Sequence, residues 1–158
     1  VNSGGQRGEG SMTAPNNQAV QRCITRAISN AGIQKKDIDA INGHLTATTK
    51  DVLEIENWSM ALERRGADFP YINSYKGIMG HCLAAAGSIE CVGTMLQLDK
   101  GVVFGNVNCE DLHSDIGKII DGSKVPQKTL PVKPKIIAKA SFGFGDVNAC
   151  IIFSAYNN

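Results

Sequence analysis

Apolar residues recur at helical spacing in three segments of the chain. The first predicted helix opens at Thr13 and Pro15, since proline suits the first turn of a helix, and it closes at Gly32. The other two predicted helices cover residues 51–65 and about 83–98. An apolar stripe along the first segment marks the face that it buries: Val20, Cys23, Ile24, Ala27, Ile28 and Ala31.

Short apolar runs between the helices predict β-strands. They cover residues 37–42, 71–72, 135–140 and 149–155, and residues 101–107 are expected to be extended. Polar segments that contain glycine or proline are predicted to be loops: residues 1–11, 73–80 and 118–133. Strands that alternate with helices and end in a hairpin-like pair predict an α/β layered domain.

Composition narrows the class of protein. With 158 residues the chain fits one domain, and 16 basic against 15 acidic residues leave a net charge of +1. This balance gives no reason to expect a nucleic-acid or membrane partner. No apolar run approaches the roughly 18–20 residues that span a bilayer, and the polar residues 1–10 do not form a secretory signal. We therefore expect a cytoplasmic protein.

The cysteine pattern is consistent with that compartment. The five cysteines are odd in number, and no two of them have C-x-x-C spacing. Most of them lie in apolar segments, which favours buried free thiols over disulfides or a zinc site. No metal site is expected.

Three polar clusters stand at the ends of predicted strands, where open α/β sheets place their sites. They are residues 42–48 (NGHLTAT), residues 73–81 (NSYKGIMGH) and residues 141–145 (SFGFG). The first contains a histidine with threonine hydroxyls two and four residues later. The second contains a lysine and a histidine before an alanine-rich helix, and the third is a glycine-rich turn with two phenylalanines.

Each cluster alone leaves two interpretations open. His44 can donate an N–H or shuttle a proton, but a histidine that satisfies a buried strand end is the simpler interpretation. Lys76 would disfavour the imidazolium of His81 and keep that ring neutral, or the two could be a solvated lysine and a helix-capping histidine. The amides of residues 141–145 could face an oxyanion, although such a turn is usually only a hairpin; no lysine follows as in a phosphate loop.

Together, in this order and at these separations, the clusters resemble those of the β-ketoacyl-[acyl-carrier-protein] synthases. That family has a His-Gly-Thr-x-Thr segment, a Lys-x-x-x-Gly-His segment followed by small residues and a glutamate, and a closing Ser-Phe-Gly-Phe-Gly. The upstream residues 12–15 (MTAP) also resemble the family. The matching positions here are His44, Thr46, Thr48, Lys76, Gly80, His81, Ala85, Ala86, Gly87, Glu90, Ser141, Phe142, Gly143, Phe144, Gly145 and Asn148.

The resemblance implies a thiolase-like fold. In that fold two related halves each supply a mixed sheet with helices, and together they form five layers, α-β-α-β-α. Residues 1–158 would be the C-terminal half. The N-terminal half, which carries the family's cysteine nucleophile, would be absent, so we expect the chain alone to be inactive.

The resemblance also implies an activity, that of a 3-oxoacyl-[acyl-carrier-protein] synthase in fatty-acid or polyketide synthesis. Malonyl on acyl carrier protein loses CO2, and the carbanion attacks an acyl thioester in a decarboxylative Claisen condensation. The expected partners are acyl carrier protein and the N-terminal half of the same enzyme. The complete enzyme would also pair with a second copy of itself as a homodimer. No cofactor is implied beyond the phosphopantetheine of the carrier.

The resemblance assigns roles to the matching residues. His44 and His81 would donate hydrogen bonds to the malonyl thioester oxygen, and Lys76 would orient them. Glu90 would pair with Lys76 in support. Thr46 and Thr48 would contact the phosphopantetheine arm of the substrate. Phe142 would gate the acyl pocket, and its amide would form part of the oxyanion hole. Phe144 would also contact substrate, and Gly143 and Gly145 would be supporting residues.

Several positions depart from the family pattern. Leu45 replaces a glycine, Asp51 lies one residue closer to His44 than the family acid, and Asp146 replaces a glycine. Cys82 follows His81 but has no evident activating base, so we do not expect it to be a nucleophile.

Two other functions stay open at this point. One is a non-catalytic partner subunit similar to a chain-length factor, and the other is an acyltransferase or thiolase of the same fold. Independently of the function, the small residues 84–87 suggest close packing against another body, so we expect an exposed apolar patch and association.

Overall fold

The computed structural model describes residues 15–156 and the backbone of residues 2–3. Residues 1, 4–14 and 157–158 lie outside the described part of the chain. Most of the loop predicted for residues 1–11 therefore stays a prediction, as does the predicted helix start at Thr13.

A mixed sheet forms the centre of the described residues, as the resemblance implies. Its order is β1-β5-β4-β2-β3. β2 pairs in parallel with β3 on one side and β4 on the other, and β5 is antiparallel to both β4 and β1. The strands are β1 (Asn2–Ser3), β2 (Ala40–Asn42), β3 (Tyr71–Asn73), β4 (Ile136–Gly143) and β5 (Val147–Ser154).

The register of the parallel strands brings their ends together. Asn42, the last residue of β2, pairs with Asn73 at the end of β3 and with Lys139 in β4. The carboxyl ends of the three strands therefore lie along one edge of the sheet. β4 continues four residues beyond this register to Gly143, so the hairpin turn comprises residues 144–146 and not the predicted 141–145.

The three long predicted helices are present, with shifted ends. They are α1 (Asn17–Asn30), α2 (Lys50–Leu62) and α4 (Ala86–Lys100). α1 begins after Pro15 because Asn16 caps it: the Asn16 side chain accepts the N–H of Ala19 at 3.1 Å. α4 begins three residues late because Leu83–Ala85 form a 3₁₀ turn, in which Leu83 has a φ of +48°.

Several segments that were predicted as loop or strand have other structures. Two short helices were missed, α3 (Lys76–Met79) and α5 (Ser114–Gly117). A 3₁₀ turn at Lys35–Asp37 takes the start of the strand predicted for residues 37–42. Most of residues 101–107 is loop, in which Val103 forms an isolated antiparallel bridge with Leu130. Such short elements carry too few residues to establish a period.

Helices cover both faces of the sheet. Along β4, Ala138 and Ala140 belong to the main core with the side chains of α1 and α2, whereas Ile137 packs on the opposite face with Ala40 and Val103. Because side chains alternate along a strand, Lys139 and Ser141 share the face of Ile137, which α4 covers. The main core is large and apolar, and Ile24, Ile41, Trp58, Phe69 and Ile72 are fully buried in it.

The polarity of α4 is inverted relative to an ordinary surface helix. Its buried side includes Glu90, Thr94 and Gln97. Its outer side exposes four large apolar residues, by 42 to 53%: Ile89, Val92, Met95 and Leu96. This exposed apolar face lies on the helix where sequence predicted a patch, although the predicted residues 84–87 only begin it. Among the described residues, no helix is both long and apolar enough to cross a membrane.

The outer face of α4 should make the chain self-associate. Val92 is 53% exposed at its centre, and burying a valine contributes about 1.5 kcal/mol or more. We expect Val92→Lys to weaken association about tenfold in sedimentation equilibrium. Gln18→Lys on the exposed side of α1 is the matched control and should change nothing. A wild-type chain that stays monomeric at all concentrations would contradict the expectation.

Candidate active site

The fold brings the three polar clusters of the sequence together. The rings of His44 and His81 lie 5.2 Å apart between centroids and nearly perpendicular, at 83°. The ring of Phe142 lies 6.3 Å from that of His44. Residues about 40 and 100 positions apart in sequence thus meet at the carboxyl edge of the parallel strands, which is the placement that the sequence analysis predicted.

Glu54 of α2 holds the backbone on which His44 is mounted. Its carboxylate accepts the N–H of His44 at 2.7 Å and that of Leu45 at 2.9 Å. A Cβ at residue 43 would lie 2.8 Å from Glu54 Oε1, so the glycine makes room for the carboxylate in its present position. The turn after β2 is therefore fixed by a buried side chain that the sequence analysis did not single out.

Asp51 shapes the threonine segment in the same way. Its carboxylate accepts the N–H groups of Thr46 and Ala47, both at 3.0 Å, and Ala47 has a φ of +57°. The Thr46 and Thr48 hydroxyl oxygens are then 3.2 Å apart. Although Asp51 is one residue closer to His44 than in the family pattern, it still organises the loop.

Leu45 does not disturb this turn. It is not among the residues with positive φ, and its half-buried side chain packs against the main core. The leucine that replaces the family's glycine therefore fits this turn without a left-handed backbone conformation.

His81 is placed by the short helix α3. Gly80 ends that helix with a φ of +72°, and the exposed His81 ring turns back so that its Nδ1 accepts the N–H of Leu83 at 3.1 Å. In a neutral imidazole an accepting Nδ1 leaves the hydrogen on Nε2. The geometry thus assigns Nε2 as the donor of His81. Cys82, by contrast, directs its Sγ to the carbonyl of Met79 at 3.5 Å.

A buried cluster of three charges lies beside the histidines. Glu90 is fully buried in α4, and its Oε1 lies 2.5 Å from Lys76 Nζ, which is the expected pair. Its Oε2 lies 2.5 Å from Lys139 Nζ. That second contact does not have hydrogen-bond geometry, so we treat it as an ion pair. Lys139 was not predicted; a lysine inside an otherwise apolar strand was the available signal.

Burial and the neighbouring cations keep His44 neutral. The pKa of His44 is lowered to about 4, first by burial and then by the positive charges of Lys76, His81 and Lys139, while Glu90 opposes them. Its Nδ1 is buried without a hydrogen-bond partner in the described residues. Lys76 was predicted to disfavour the charged form of His81, and this effect is found at His44. For His81 it stays a prediction.

The pKa of Glu54 moves in the opposite direction from that of His44. Burial raises the pKa of Glu54 to about 7, although the N–H groups of His44 and Leu45 favour its charged form. The carboxylate of Asp51 adds to the rise. His44, which is positive when charged, and Glu54, which is negative when charged, are therefore linked through the backbone N–H of His44.

The glycine-rich turn closes the site from the β4–β5 hairpin. Phe142 is half-buried against the main core, whereas Phe144 is 66% exposed at the tip. Gly145 and Asp146 both have positive φ, 71° and 60°. Asp146 Oδ1 accepts the N–H of Asn16 at 3.1 Å and the side-chain amide of Asn148 at 3.0 Å. Asp146 is thus tolerated in the turn and ties it to the start of α1.

A cavity of about 470 Å³ collects most of the predicted substrate contacts. It is lined by both histidines, both threonines and both phenylalanines of the predicted site: His44, Thr46, Thr48, His81, Phe142 and Phe144. Lys76 lies outside it and lines an adjacent cavity of about 380 Å³ that also reaches His81 and Thr46.

No disulfide joins the five cysteines, all of which lie in the described part of the chain. Among residues 15–156, no group of histidine, cysteine or acidic side chains is arranged to hold a metal ion. All five cysteines are free thiols, but only Cys23 is buried and the other four are partly exposed, so the predicted burial holds fully for Cys23 alone. The expectation that the protein needs no metal or cofactor stays an expectation.

The opposed pKa values of His44 and Glu54 predict how stability depends on pH. Between pH 6.5 and about 4 the unfolded chain binds a proton that folded His44 does not, so His44 lowers stability as pH falls. Between pH 4.5 and about 7 folded Glu54 holds a proton that the unfolded chain lacks, so Glu54 lowers stability as pH rises. The two effects offset each other over the shared range.

We expect Glu54→Gln to remove that offset. Its free energy of unfolding should fall relative to wild type as pH is lowered from 6.5 to 4.5, by at most about 1.4 kcal/mol per pH unit. His44→Gln should show the opposite slope, with stability rising over the same change. Urea unfolding at the two pH values measures both, and parallel profiles of wild type and variants would refute the assignment.

Comparison with known proteins places the chain in a family. Residues 1–110 match the family described as Beta-ketoacyl synthase, C-terminal domain. The chain is 37% identical over 146 residues to 3-oxoacyl-[acyl-carrier-protein] synthase II, chloroplastic, of Arabidopsis thaliana, covering 90% of this chain and 26% of that protein. It is 31% identical to 3-oxoacyl-[acyl-carrier-protein] synthase 1 of Haemophilus influenzae, covering 92% and 34%.

A solved structure agrees with the sequence comparison. It is AntDE:AntF, a type II PKS acyl-carrier protein in complex with its ketosynthase bound to the hexaketide. The chain superposes on it with a TM-score of 0.84 at 27% identity, covering 99% of this chain and 37% of that one. The mixed sheet, the two imidazoles and the family match agree. The chain belongs to the β-ketoacyl synthase C-terminal domain family and has the ketosynthase, thiolase-like fold of that half.

Proposed function

We propose that the chain is the part of a 3-oxoacyl-[acyl-carrier-protein] synthase that activates the malonyl group for decarboxylative condensation. The observation that carries the proposal is the pair of imidazoles, 5.2 Å apart in one cavity with the phenylalanine turn. A satisfied strand-end histidine would have its ring nitrogens paired, whereas His44 Nδ1 is buried without a partner in the described residues.

The proposed reaction needs hydrogen-bond donors where negative charge develops. When the bond from the malonyl α-carbon to its carboxylate breaks, CO2 leaves and the electron pair passes into an enolate on the thioester oxygen. His81 Nε2–H and the N–H of a neutral His44 would both donate to that oxygen. Because these bonds strengthen as charge appears, they would lower the barrier to decarboxylation.

The carbanion then forms the new carbon–carbon bond. It attacks the carbonyl carbon of an acyl thioester, the thiolate leaves, and the product is a 3-oxoacyl group on the carrier. The Phe142 amide would stabilise the oxyanion of this second step, and its ring would gate the acyl pocket. The supporting observation is that Phe142 lies 6.3 Å from His44 while remaining packed on the core.

The other predicted residues would hold the substrate and the histidines. Thr46 and Thr48 would contact the phosphopantetheine arm, since their hydroxyls are together at the cavity. Phe144, exposed at the tip of the turn, would contact the arm from the opposite side. Lys76 lies outside the main cavity and is paired with Glu90, so a role in orienting and tuning the histidines suits it better than contact with substrate.

We propose three partners. The chain spans about a quarter to a third of the length of the relatives it matches, and the nucleophile would come from an N-terminal half packed on the outer face of α4. Acyl carrier protein would deliver malonyl, as the carrier in AntDE:AntF is bound to its own ketosynthase. A homodimer of the complete enzyme and a cytoplasmic location are further proposals; one relative is chloroplastic by name.

We expect His44→Ala and His81→Ala each to lower malonyl decarboxylation at least about 100-fold, because each removes one donor to the enolate. The measurement is CO2 release from malonyl carrier by the chain assembled with a ketosynthase N-terminal half. His113→Ala is the matched control, since that ring is exposed and caps α5. The chain without the N-terminal half should show no condensation.

The same assay separates the alternative function. A partner subunit similar to a chain-length factor would bind malonyl carrier, and its assembly would never release CO2. Unchanged release in both histidine variants would also reject the proposed mechanism.

A further inference from the structure

Lys139 is the one group of the charge cluster that no predicted motif includes. It lies in the middle of β4, two residues before Ser141, and between Ala138 and Ala140, which are fully buried. The lysine itself is only 2% exposed. Placing an ammonium group there is costly, and burial lowers the pKa of Lys139.

Charge balance does not require Lys139. Lys76 Nζ already lies 2.5 Å from Glu90 Oε1, so one cation neutralises the carboxylate of this cluster. Lys139 Nζ adds a second cation 2.5 Å from Oε2, and Lys76 disfavours its charge. A cluster of two lysines and one glutamate carries a net positive charge when all three are ionised, and buried charge without a balancing partner points to a functional site.

The position of Lys139 links two segments of the site, the end of β4 with Phe142 and the segment after α3 with His81. Its Nζ donates to Ser141 Oγ at 2.8 Å and to the carbonyl of Ala140. Ser141 immediately precedes Phe142, the residue beside His44. Through Glu90 the same ammonium group is connected to Lys76 and α3, which positions His81. Lys139 therefore joins the strand that carries the phenylalanine to the segment that carries the second histidine.

We propose that Lys139 is a positioning residue of this site, which shares Glu90 with Lys76, fixes the end of β4 and places a second positive charge beside His44. A neutral His44 and an excess of positive charge would both favour the enolate. This benefit to the reaction rests on the proposed function. Its effect on His44 does not depend on that reaction.

Several charged groups surround His44, and each affects its protonation. Lys76, Lys139 and a protonated His81 oppose a proton on His44, whereas Glu90 favours it. Glu54 and Asp51 line the same cavity as His44. The groups come from the elements packed around the ring: Asp51 and Glu54 of α2, Lys76 of α3, His81 after α3, Glu90 of α4 and Lys139 of β4.

The test is an NMR titration of the His44 ring in the chain itself. The signal is assigned with His44→Gln, and its midpoint is compared in wild type, Lys139→Met and Lys139→Arg. We expect Lys139→Met to raise the midpoint by about half a pH unit or more, because one nearby positive charge is removed. Lys139→Arg, which keeps the charge, should leave it low. Lys135→Met removes an exposed charge from the start of the same strand region and is the matched control.

An unchanged midpoint in Lys139→Met would overturn the proposal, as would an equal rise in Lys135→Met. If Lys139→Met does not fold, Lys139→Gln loses the charge and keeps a donor for Ser141. The wild-type chain gives a second readout: the Lys139 ammonium must still be protonated near neutral pH, and a neutral amine there would also overturn the proposal. Neither measurement needs malonyl or the N-terminal half, so a failure of the proposed condensation would leave the result interpretable.

Discussion

The parallel pairing of β2 with β3 and β4 is the constraint on which the site depends. Asn42 is in register with Asn73 and Lys139, so the loops after β2 and β3 leave the sheet side by side. Because all three strands run in the same direction, residues from distant parts of the sequence meet at one edge. A slip of one residue in β4 would move Lys139 to the other face and remove it from Glu90.

The inverted polarity of α4 follows from the polar residues that it packs against the sheet near this edge. A helix that places Glu90, Thr94 and Gln97 against the sheet has only its outer side left for apolar residues. Buried polar groups need partners, and most of these have one: Glu90 has two lysines, and Gln97 Oε1 accepts the amide of Asn73 at 2.8 Å, whereas Gln97 Nε2 has no partner among the described residues. The buried polar residues that support the site and the exposed apolar face therefore lie on opposite sides of the same helix.

The sequence predicted the long helices and the three clusters because each had a period or a motif, and the family resemblance implied the mixed sheet. It did not predict α3, α5 or the 3₁₀ turns, which are too short to show a period. Within the site, Lys76 with Glu90 was expected from the family pattern, whereas Glu54 and Lys139 were missed. Both are buried ionisable side chains, and the burial of a single such residue depends on tertiary contacts that spacing alone does not reveal.

His44 is therefore controlled twice, and the two controls have different physical origins. Glu54 fixes the backbone through the N–H groups of His44 and Leu45. The lysines act on the ring through charge, together with burial, and keep it neutral. In the proposed reaction, only a ring that is both fixed and neutral would hold its single N–H ready for a charge that has not yet formed, because a protonated ring would already attract the malonyl carboxylate in the ground state. The proposed mechanism would thus account for the charge that is buried beside a neutral imidazole.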